Sequence, residues 1–324
     1  MRAVVCRAFG PPEELETGEL PAPEPGPGEV AIRVEAAGVS FADTLMIRDL
    51  HQNKHDLPFA PGMEVAGRVT ETGADVEGFS PGDRVMALVY DGGHAECAVA
   101  PAAETFPVPE GLSMTAAAAL GAAYLTAHAG LFWEARLEAG ETLLVLGAGG
   151  GTGLAAVEVG KALGARVIAA ASTAEKCALA EERGADAVVR YPAESIRERV
   201  MSETGGEGCD AVFDPVGGDL FEESFRSLGW GGRHIVVGFA GGAIPAFRAN
   251  HLLVKNRAAL GLALFNYRKR RPDRLRASAG ALLGWAAAGR IRPHISAELP
   301  LEEAPAALRA IMDRKAAGRL VLRP

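Results

Sequence analysis

The sequence predicts an α/β protein of two domains. One is an antiparallel, barrel-like β domain built from both ends of the chain, and the other is a doubly wound parallel-sheet domain inserted between them. Three observations carry this. The first third consists of short β-branched or alternating runs punctuated by Pro and Gly, and helix signals are sparse before residue 113. From about residue 125 strand-like and helical runs alternate, a rhythm that implies right-handed crossovers and a parallel sheet. The run 143–161, LLVLGAGGGTGLAAVEVGK, passes from an apolar strand through a glycine-packed turn into a helix.

Taken in order, strands are expected at Val30–Val39, Met63–Thr70, Arg84–Val89 and His94–Ala100, separated by turns such as PAPEPGPGE (21–29) and FSPGD (79–83). Gly111–Trp133 carries no Asp, Glu, Lys or Arg over 23 residues, long enough to span a bilayer. It is mostly Ala, with Ser113, Thr115, Thr126 and His128, and alanine contributes little to insertion, so buried helices and no membrane are expected. Strand 143–146 leads into a helix at 151–163, and strand 166–171 into a helix opening near Thr173. Strand 187–190 precedes an amphipathic 193–203. Strand 211–214 precedes a helix at 219–228, and strand 234–238 follows. After about 262 the pattern breaks, and a helix at 272–289 and a strand at 319–323 return to the first domain. The expected domains are 1–124, 125–262 and 263–324.

The chain has 324 residues, enough for two cores; it is 48% hydrophobic and 23% charged, as in globular proteins. A net charge of −8 argues against a general nucleic-acid binder. The basic stretch Tyr267–Arg276 reads as a solvated loop and helix start. Cys6, Cys97, Cys177 and Cys209 lie far apart without CxxC spacing, which suggests neither a disulfide framework nor a zinc knuckle and fits a reducing cytoplasm. The first twenty residues lack the apolar core and cleavage site of a signal peptide.

Counting back from Gly153, the dinucleotide fingerprint places its glycines at 148, 150 and 153. Position 148 is Ala, giving an AxGxxG variant with extra glycines at 147, 149 and 151. Such a turn receives a pyrophosphate at the helix N-terminus, where free N–H groups and the dipole favour an anion. About 20 residues on, an NAD enzyme places Asp or Glu for the ribose 2′-OH. Here the position is Ala171, followed by Ser172, Thr173 and Lys176. The missing carboxylate removes repulsion toward a 2′-phosphate, and a hydroxyl and an ammonium supply its partners, so NADPH is the expected cofactor.

Several segments together carry a family resemblance: AGVSFADTLM (37–46), LPFAPGMEVAGRV (57–69), GDRVMAL (82–88), GGHAECAVAP (92–101), AAYLTAHAGL (122–131), AGGGTGLAAVEVGKALGA (148–165), STAEK (172–176), FDPVGG (213–218) and GRLVL (318–322). The chain resembles the zinc-free NADPH:quinone oxidoreductases, related to ζ-crystallin, of the medium-chain dehydrogenase/reductase superfamily. The resemblance implies a GroES-like β-barrel catalytic domain plus a Rossmann domain. It also implies that Gly150, Gly151, Thr152 and Gly153 line the pyrophosphate, and that Ser172, Lys176 and Tyr191 surround the 2′-phosphate. Thr126 would pack near the nicotinamide, with Gly238 and Phe239 along its far side. A homodimer through the edge of the cofactor sheet is implied as well.

Zinc-dependent relatives carry a Cys after the AAG(V/I) turn, a GHE motif and a four-cysteine lobe. Here stand Ser40, then Gly62-Met63-Glu64, and between Pro81 and Thr105 the only cysteine is Cys97. No metal is expected, since a catalytic zinc needs about three protein ligands. Without that Lewis acid an alcohol is poorly activated, whereas an electrophilic acceptor needs less help. The expected reaction is hydride delivery to a quinone or to the β-carbon of an enone. The family's common pattern has Asn after the AAGV turn and Tyr a dozen positions later, where this chain has Ser40 and His51. Ser40, His51 and Tyr124 are the candidate donors to the acceptor oxygen; His51 also reads as a solvated loop residue and Tyr124 as core. Asp43 is retained. The rival functions are an enone or enoyl reductase and a non-catalytic NADPH-binding protein.

Overall fold

The computed structural model describes residues 1–324, which divide into two compact units, Met1–Leu125 with Tyr267–Pro324, and Thr126–Asn266. The first unit opens with a two-stranded antiparallel ribbon, β1 (Arg2–Val5) and β2 (Glu16–Glu19). β3 (Glu29–Val39) is the long central strand; its Val30, Ile32 and Val34 are buried. It leads into α1 (Phe41–Met46), a helix absent from the sequence reading because six residues show no apolar period. Its signal is local. The Asp43 carboxylate reaches back to accept the Ser40 backbone N–H at 2.7 Å, the reciprocal half of a capping box.

The strands β4 (Glu64–Thr72), β5 (Arg84–Leu88), β6 (Cys97–Pro101) and β7 (Thr105–Pro107) follow, all antiparallel to their neighbours. β3 pairs with both β4 and β6; its register with β4 shifts at Ala31/Ile32 and Val34/Ala36, whereas that with β6 is regular. The uncharged stretch then forms α2 (Met114–Leu120) and α3 (Ala122–His128). α2 is capped by Ser113 Oγ, which accepts the Ala116 N–H at 3.1 Å, and its Ala117–Leu120 are buried against β3 and β4. No single helix is long and apolar enough to cross a membrane, and α2 is bent by 48° from the helical stretch Ala122–Glu134 that follows. At the break stands Gly121, where a Cβ would lie 2.4 Å from Glu64 Oε2.

The second unit alternates strand and helix. In chain order it has β8 (Thr142–Leu146), α4 (Gly151–Ala162), β9 (Arg166–Ala171), α5 (Ala174–Glu182), β10 (Ala187–Arg190), α6 (Ile196–Glu203), β11 (Cys209–Asp214), α7 (Leu220–Arg226), β12 (Leu228–Val236), α8 (Asn250–Leu253) and β13 (Ala258–Gly261). The sheet is parallel throughout, in the order β10-β9-β8-β11-β12-β13. The strand order reverses between β8 and β11, the switch point at which open α/β sheets bind ligands. Leu144, Leu146, Ile168, Val212, Phe221 and Phe225 form much of the core.

Two sequence expectations are corrected here. The helix expected through 228 ends at Arg226, and the strand expected from 234 already begins at Leu228. Gly229, Gly231 and Gly232 hid it, because a glycine-rich strand start shows no alternation, and the ladder with β11 is irregular there. β13 went unseen because it is only four residues long.

The chain returns through α9 (Leu264–Arg270) and α10 (Pro272–Ala287), with Pro272 at the first helical position and Leu275, Ala279, Leu282 and Leu283 buried at helical spacing. β14 (Ile295–Pro300), α11 (Ala304–Met312) and β15 (Arg319–Arg323) complete the first unit. β15 pairs antiparallel with β3, so the sheet runs β14-β15-β3-β4-β5-β7. The basic stretch is not wholly solvated as expected. Arg268 is buried, ion-paired with Glu104, and donates to the carbonyls of Val89 (3.0 Å) and Leu88 (3.3 Å). A buried guanidinium needs such a full set of acceptors.

Candidate functional site

The glycine turn is built by steric necessity. Gly147 has φ +60°, a left-handed conformation that favours glycine, and its carbonyl accepts the Gly150 N–H at 2.9 Å. A Cβ on Gly153 would fall 2.2 Å from that same carbonyl, so helix α4 approaches the turn only with glycine there. Gly150 is the N-cap, Gly151 begins the helix, and half-buried Thr152 stands in its first turn. The cap has no side chain and the first turn no carboxylate, so the N–H groups at this terminus are not neutralised by an acidic residue. A Cβ on Gly149 would lie 2.5 Å from Cβ of Lys176, so the lysine stem crosses the turn at a glycine.

The end of β9 supplies the neighbouring groups. Ala171 is buried and Ser172 exposed. The Thr173 hydroxyl accepts the Lys176 N–H at 3.2 Å as the cap of α5, leaving Ser172 as the outward hydroxyl. The Tyr191 N–H donates to the Ala171 carbonyl at 3.1 Å, which brings this half-buried tyrosine beside a strand end 20 positions earlier. The fold thus gathers Gly149–Gly153, Ser172, Lys176 and Tyr191.

Gly238 and Phe239 follow β12 and are held by backbone bonds to the FDPVGG turn. Val237 N–H donates to Asp214 O at 2.9 Å and Ala240 N–H to Pro215 O at 3.2 Å. Asp214 is fully buried. One carboxylate oxygen accepts the Val216 and Gly217 N–H groups, both at 2.8 Å, and the other lies 3.1 Å from His234 Nε2. Thr126 is half-buried on α3.

The first unit holds a second constellation. Ser40 opens α1, and its buried Oγ faces the Asp43 backbone N–H and carboxyl, the other half of the capping box. Asp43, fully buried, lies 3.9 Å from Nε2 of fully buried His94. That nitrogen faces the Gly38 carbonyl at 3.3 Å and therefore carries the proton, since a carbonyl only accepts. Burial pushes the Asp43 carboxyl up to about 6, against the pull of the Ser40 N–H and Arg319. Burial pushes the His94 imidazole down to about 4. Neither sequence motif nor periodicity identified His94, although it stands in the GGHAECAVAP segment; a histidine there gives no local sign of its partner.

His51 lies in the loop after α1, half-buried, and its Nδ1 accepts the Asn53 N–H at 3.2 Å. The imidazole is lowered first by burial, then by His55 and Lys54, so it is neutral at pH 7 with Nε2–H available to donate. Asp49 adopts φ +52°, a left-handed conformation that Asp tolerates better than most residues. Tyr124 is 1% exposed and ranks among the largest fully buried side chains. Glu64, in the GHE position, is committed elsewhere: it is ion-paired with Arg319 and accepts the Ala122 N–H at 2.5 Å. No three His, Cys, Asp or Glu side chains converge as a metal-ligand group.

Residues 26–110 match the alcohol dehydrogenase GroES-like domain family and residues 151–279 the zinc-binding dehydrogenase family. Quinone oxidoreductase-like protein 2 of Bos taurus is 41% identical over 322 residues, covering 99% of this chain and 92% of its own. A mycobacterial protein solved with NADPH is 34% identical with a TM-score of 0.93, covering 100% of both chains. Escherichia coli quinone oxidoreductase, also solved with NADPH, is 28% identical with a TM-score of 0.92, again covering 100% of both chains. With relatives of this identity along its whole length, the chain belongs to the quinone oxidoreductase branch of the medium-chain dehydrogenase/reductase superfamily.

Proposed function

We propose that this chain reduces quinones with NADPH as hydride donor, without a metal, as a cytoplasmic homodimer. The observation that carries the cofactor assignment is the Lys176 stem lying across Gly149, beside a strand end where Ala171 and Ser172 replace the usual carboxylate. The NADPH complexes of two relatives at 34% and 28% identity support it. Gly150, Gly151, Thr152 and Gly153 would hold the pyrophosphate; Ser172, Lys176 and Tyr191 the 2′-phosphate; Thr126, Gly238 and Phe239 the nicotinamide end. When bound, NADPH supplies a hydride, and the reduced acceptor then takes a proton. Ser40 Oγ, at the start of α1 beside the Asp43 carboxyl, is the hydroxyl that would donate to the acceptor oxygen as charge develops there. His51 is a second, neutral donor, and Tyr124 is assigned to packing.

Dimerisation is supported by the unpaired outer edge of β13 and by exposed Trp230 and Ile244 in the same unit. Four unpaired thiols fit a reducing compartment.

A second reading, an NADPH-dependent enone reductase, is favoured by Ser40 and His51 standing where quinone-reducing relatives commonly have Asn and Tyr. NADPH consumption with 1,4-benzoquinone, 9,10-phenanthrenequinone and a small enone, with NADH in parallel, separates them. Fast NADPH-dependent quinone turnover is expected. Turnover of the enone alone moves the protein to the double-bond reductases, and NADPH binding without turnover of any acceptor defeats both. Lys176→Ala is expected to weaken NADPH binding while sparing NADH; equal loss of both refutes the 2′-phosphate assignment.

A further inference from the structure

Five cations of the second unit converge on one concavity. Arg197 of α6, Arg226 of α7, Arg248 ahead of α8, and Lys255 and Arg257 beyond it line a cavity of about 540 Å³, with His251 on the same wall. Glu222 is the single carboxylate in the lining, and it meets Arg226 only at 4.0 Å, both side chains being exposed. This concentration of positive charge stands in a chain of net charge −8.

The lining has a rigid base. Arg257 donates to the carbonyls of Arg226 (3.3 Å), Gly229 (3.4 Å) and Leu228, with its guanidinium carbon 5.8 Å from the centre of the Phe225 ring. Phe221 and Phe225 are buried beneath, and Phe247 stacks on Phe225 at 5.5 Å with its own ring partly open to solvent. The charged ends of Arg197, Arg248 and Lys255, by contrast, have no carboxylate or carbonyl partner in the fold. Burial, with Arg197 and Arg226 close by, holds the Arg257 guanidinium below its usual range. Like charges so gathered repel one another until an anion enters.

A single carboxylate would leave most of these cations unmatched, whereas linked phosphates carry several charges on few atoms and pair with guanidinium forks in bidentate geometry. The ring of Phe247 offers an apolar contact to whatever carries the phosphates. The lining shares no residue with the glycine turn or with Ser172, Lys176 and Tyr191. Of its elements, α7 packs on β11, β12 and α6, and α6 in turn on β10. We propose that this cavity binds a small soluble ligand bearing clustered phosphates, a di- or triphosphate, at a site separate from the dinucleotide turn.

The test is calorimetric titration of the whole protein with inorganic tripolyphosphate at low ionic strength. Three proteins are compared: wild type, the double variant Arg248→Ala/Lys255→Ala, and Lys176→Ala. Neither Arg248 nor Lys255 makes a side-chain bond within the fold, so the double variant should keep its thermal midpoint and its NADPH affinity. Wild type and Lys176→Ala are expected to bind one tripolyphosphate per chain, weakening as salt is added. The double variant should bind it at least about tenfold more weakly, the loss expected when charge-assisted contacts are removed. The proposal is overturned if wild type gives no binding, if all three proteins bind alike, or if Lys176→Ala alone abolishes binding.

Discussion

Arg319, on the last strand, and Glu64, at the start of β4, form an ion pair in which the side chains are 5% and 0% exposed. Two glycines make room for it: a Cβ on Gly38 would lie 2.4 Å from Glu64 Oε1, and one on Gly121 2.4 Å from Oε2. The pair ties the C-terminal strand to the body of the first unit 255 residues away. Removing one partner leaves a buried charge uncompensated, at a cost of about 3–5 kcal/mol. Arg319→Met should therefore lower the urea midpoint strongly, and adding Glu64→Gln should recover part of the loss. Equal midpoints for the single and double variants would show that the charge left behind is not the cause.

The buried neighbours His94 and Asp43 give opposite pH slopes. The folded pKa of His94, about 4, lies below its ordinary value, so the unfolded chain takes up the proton first as pH falls. Stability from its burial is complete above about pH 6.5 and is lost on the way to pH 4, with about 3 kcal/mol at stake. His94→Gln should flatten the acid limb of a plot of urea midpoint against pH between 6.5 and 4. An unchanged limb would place the acid sensitivity elsewhere.

Asp43 works in the other direction. Its folded pKa, about 6, lies above the ordinary carboxylate value, so its contribution is complete below about pH 4 and is lost as pH rises through 6. Asp43→Asn keeps an acceptor for the Ser40 N–H but cannot ionise. Its stability relative to wild type should rise from pH 4 to pH 7, and a constant difference would contradict the buried, hard-to-ionise carboxyl.

The glycine turn predicts two distinct failures. Gly153→Ala sets a methyl against the Gly147 carbonyl, which as backbone cannot move aside, so overpacking of about 1–3 kcal/mol and loss of both NADPH and NADH binding are expected. Gly149→Ala meets the Lys176 stem instead. It should weaken NADPH more than NADH in parallel fluorescence titrations, and an equal effect would detach Lys176 from the 2′-phosphate.

For the acceptor site, Ser40→Ala should lower kcat by up to about 100-fold with NADPH affinity unchanged, as for loss of one donor to a developing oxyanion. Burial holds the imidazole of His51, the second proposed donor, below its usual range, so kcat should show no limb near 6.5 that disappears in His51→Ala. The appearance of such a limb would make His51 an acid instead.

How much of this was legible in the chain depends on the distance over which each feature is encoded. The 143–161 run states its strand, turn and helix within one window, because apolar period and glycine placement are local properties. Ala171 and Ser172 announced the missing carboxylate by position alone. α1 left only its cap as a trace. β13, at four residues, left no periodic signal, and the glycines at the start of β12 mimicked a turn.

Sequence by itself determined the alternation of elements, the glycine turn and the residue types at its edge, since these follow from steric freedom and hydrophobic period over a few residues. Only tertiary structure decided which charges face one another. Arg268 reads as part of a solvated basic run, yet Glu104 and two carbonyls draw it inward. Glu64 reads as a remnant of a metal motif, yet Arg319 claims it. Arg197 through Arg257 are ordinary scattered cations until α6, α7 and α8 set them around one cavity. The physical reason is that a charge's environment is set by neighbours in space, and those neighbours come from sequence separations no local pattern encodes.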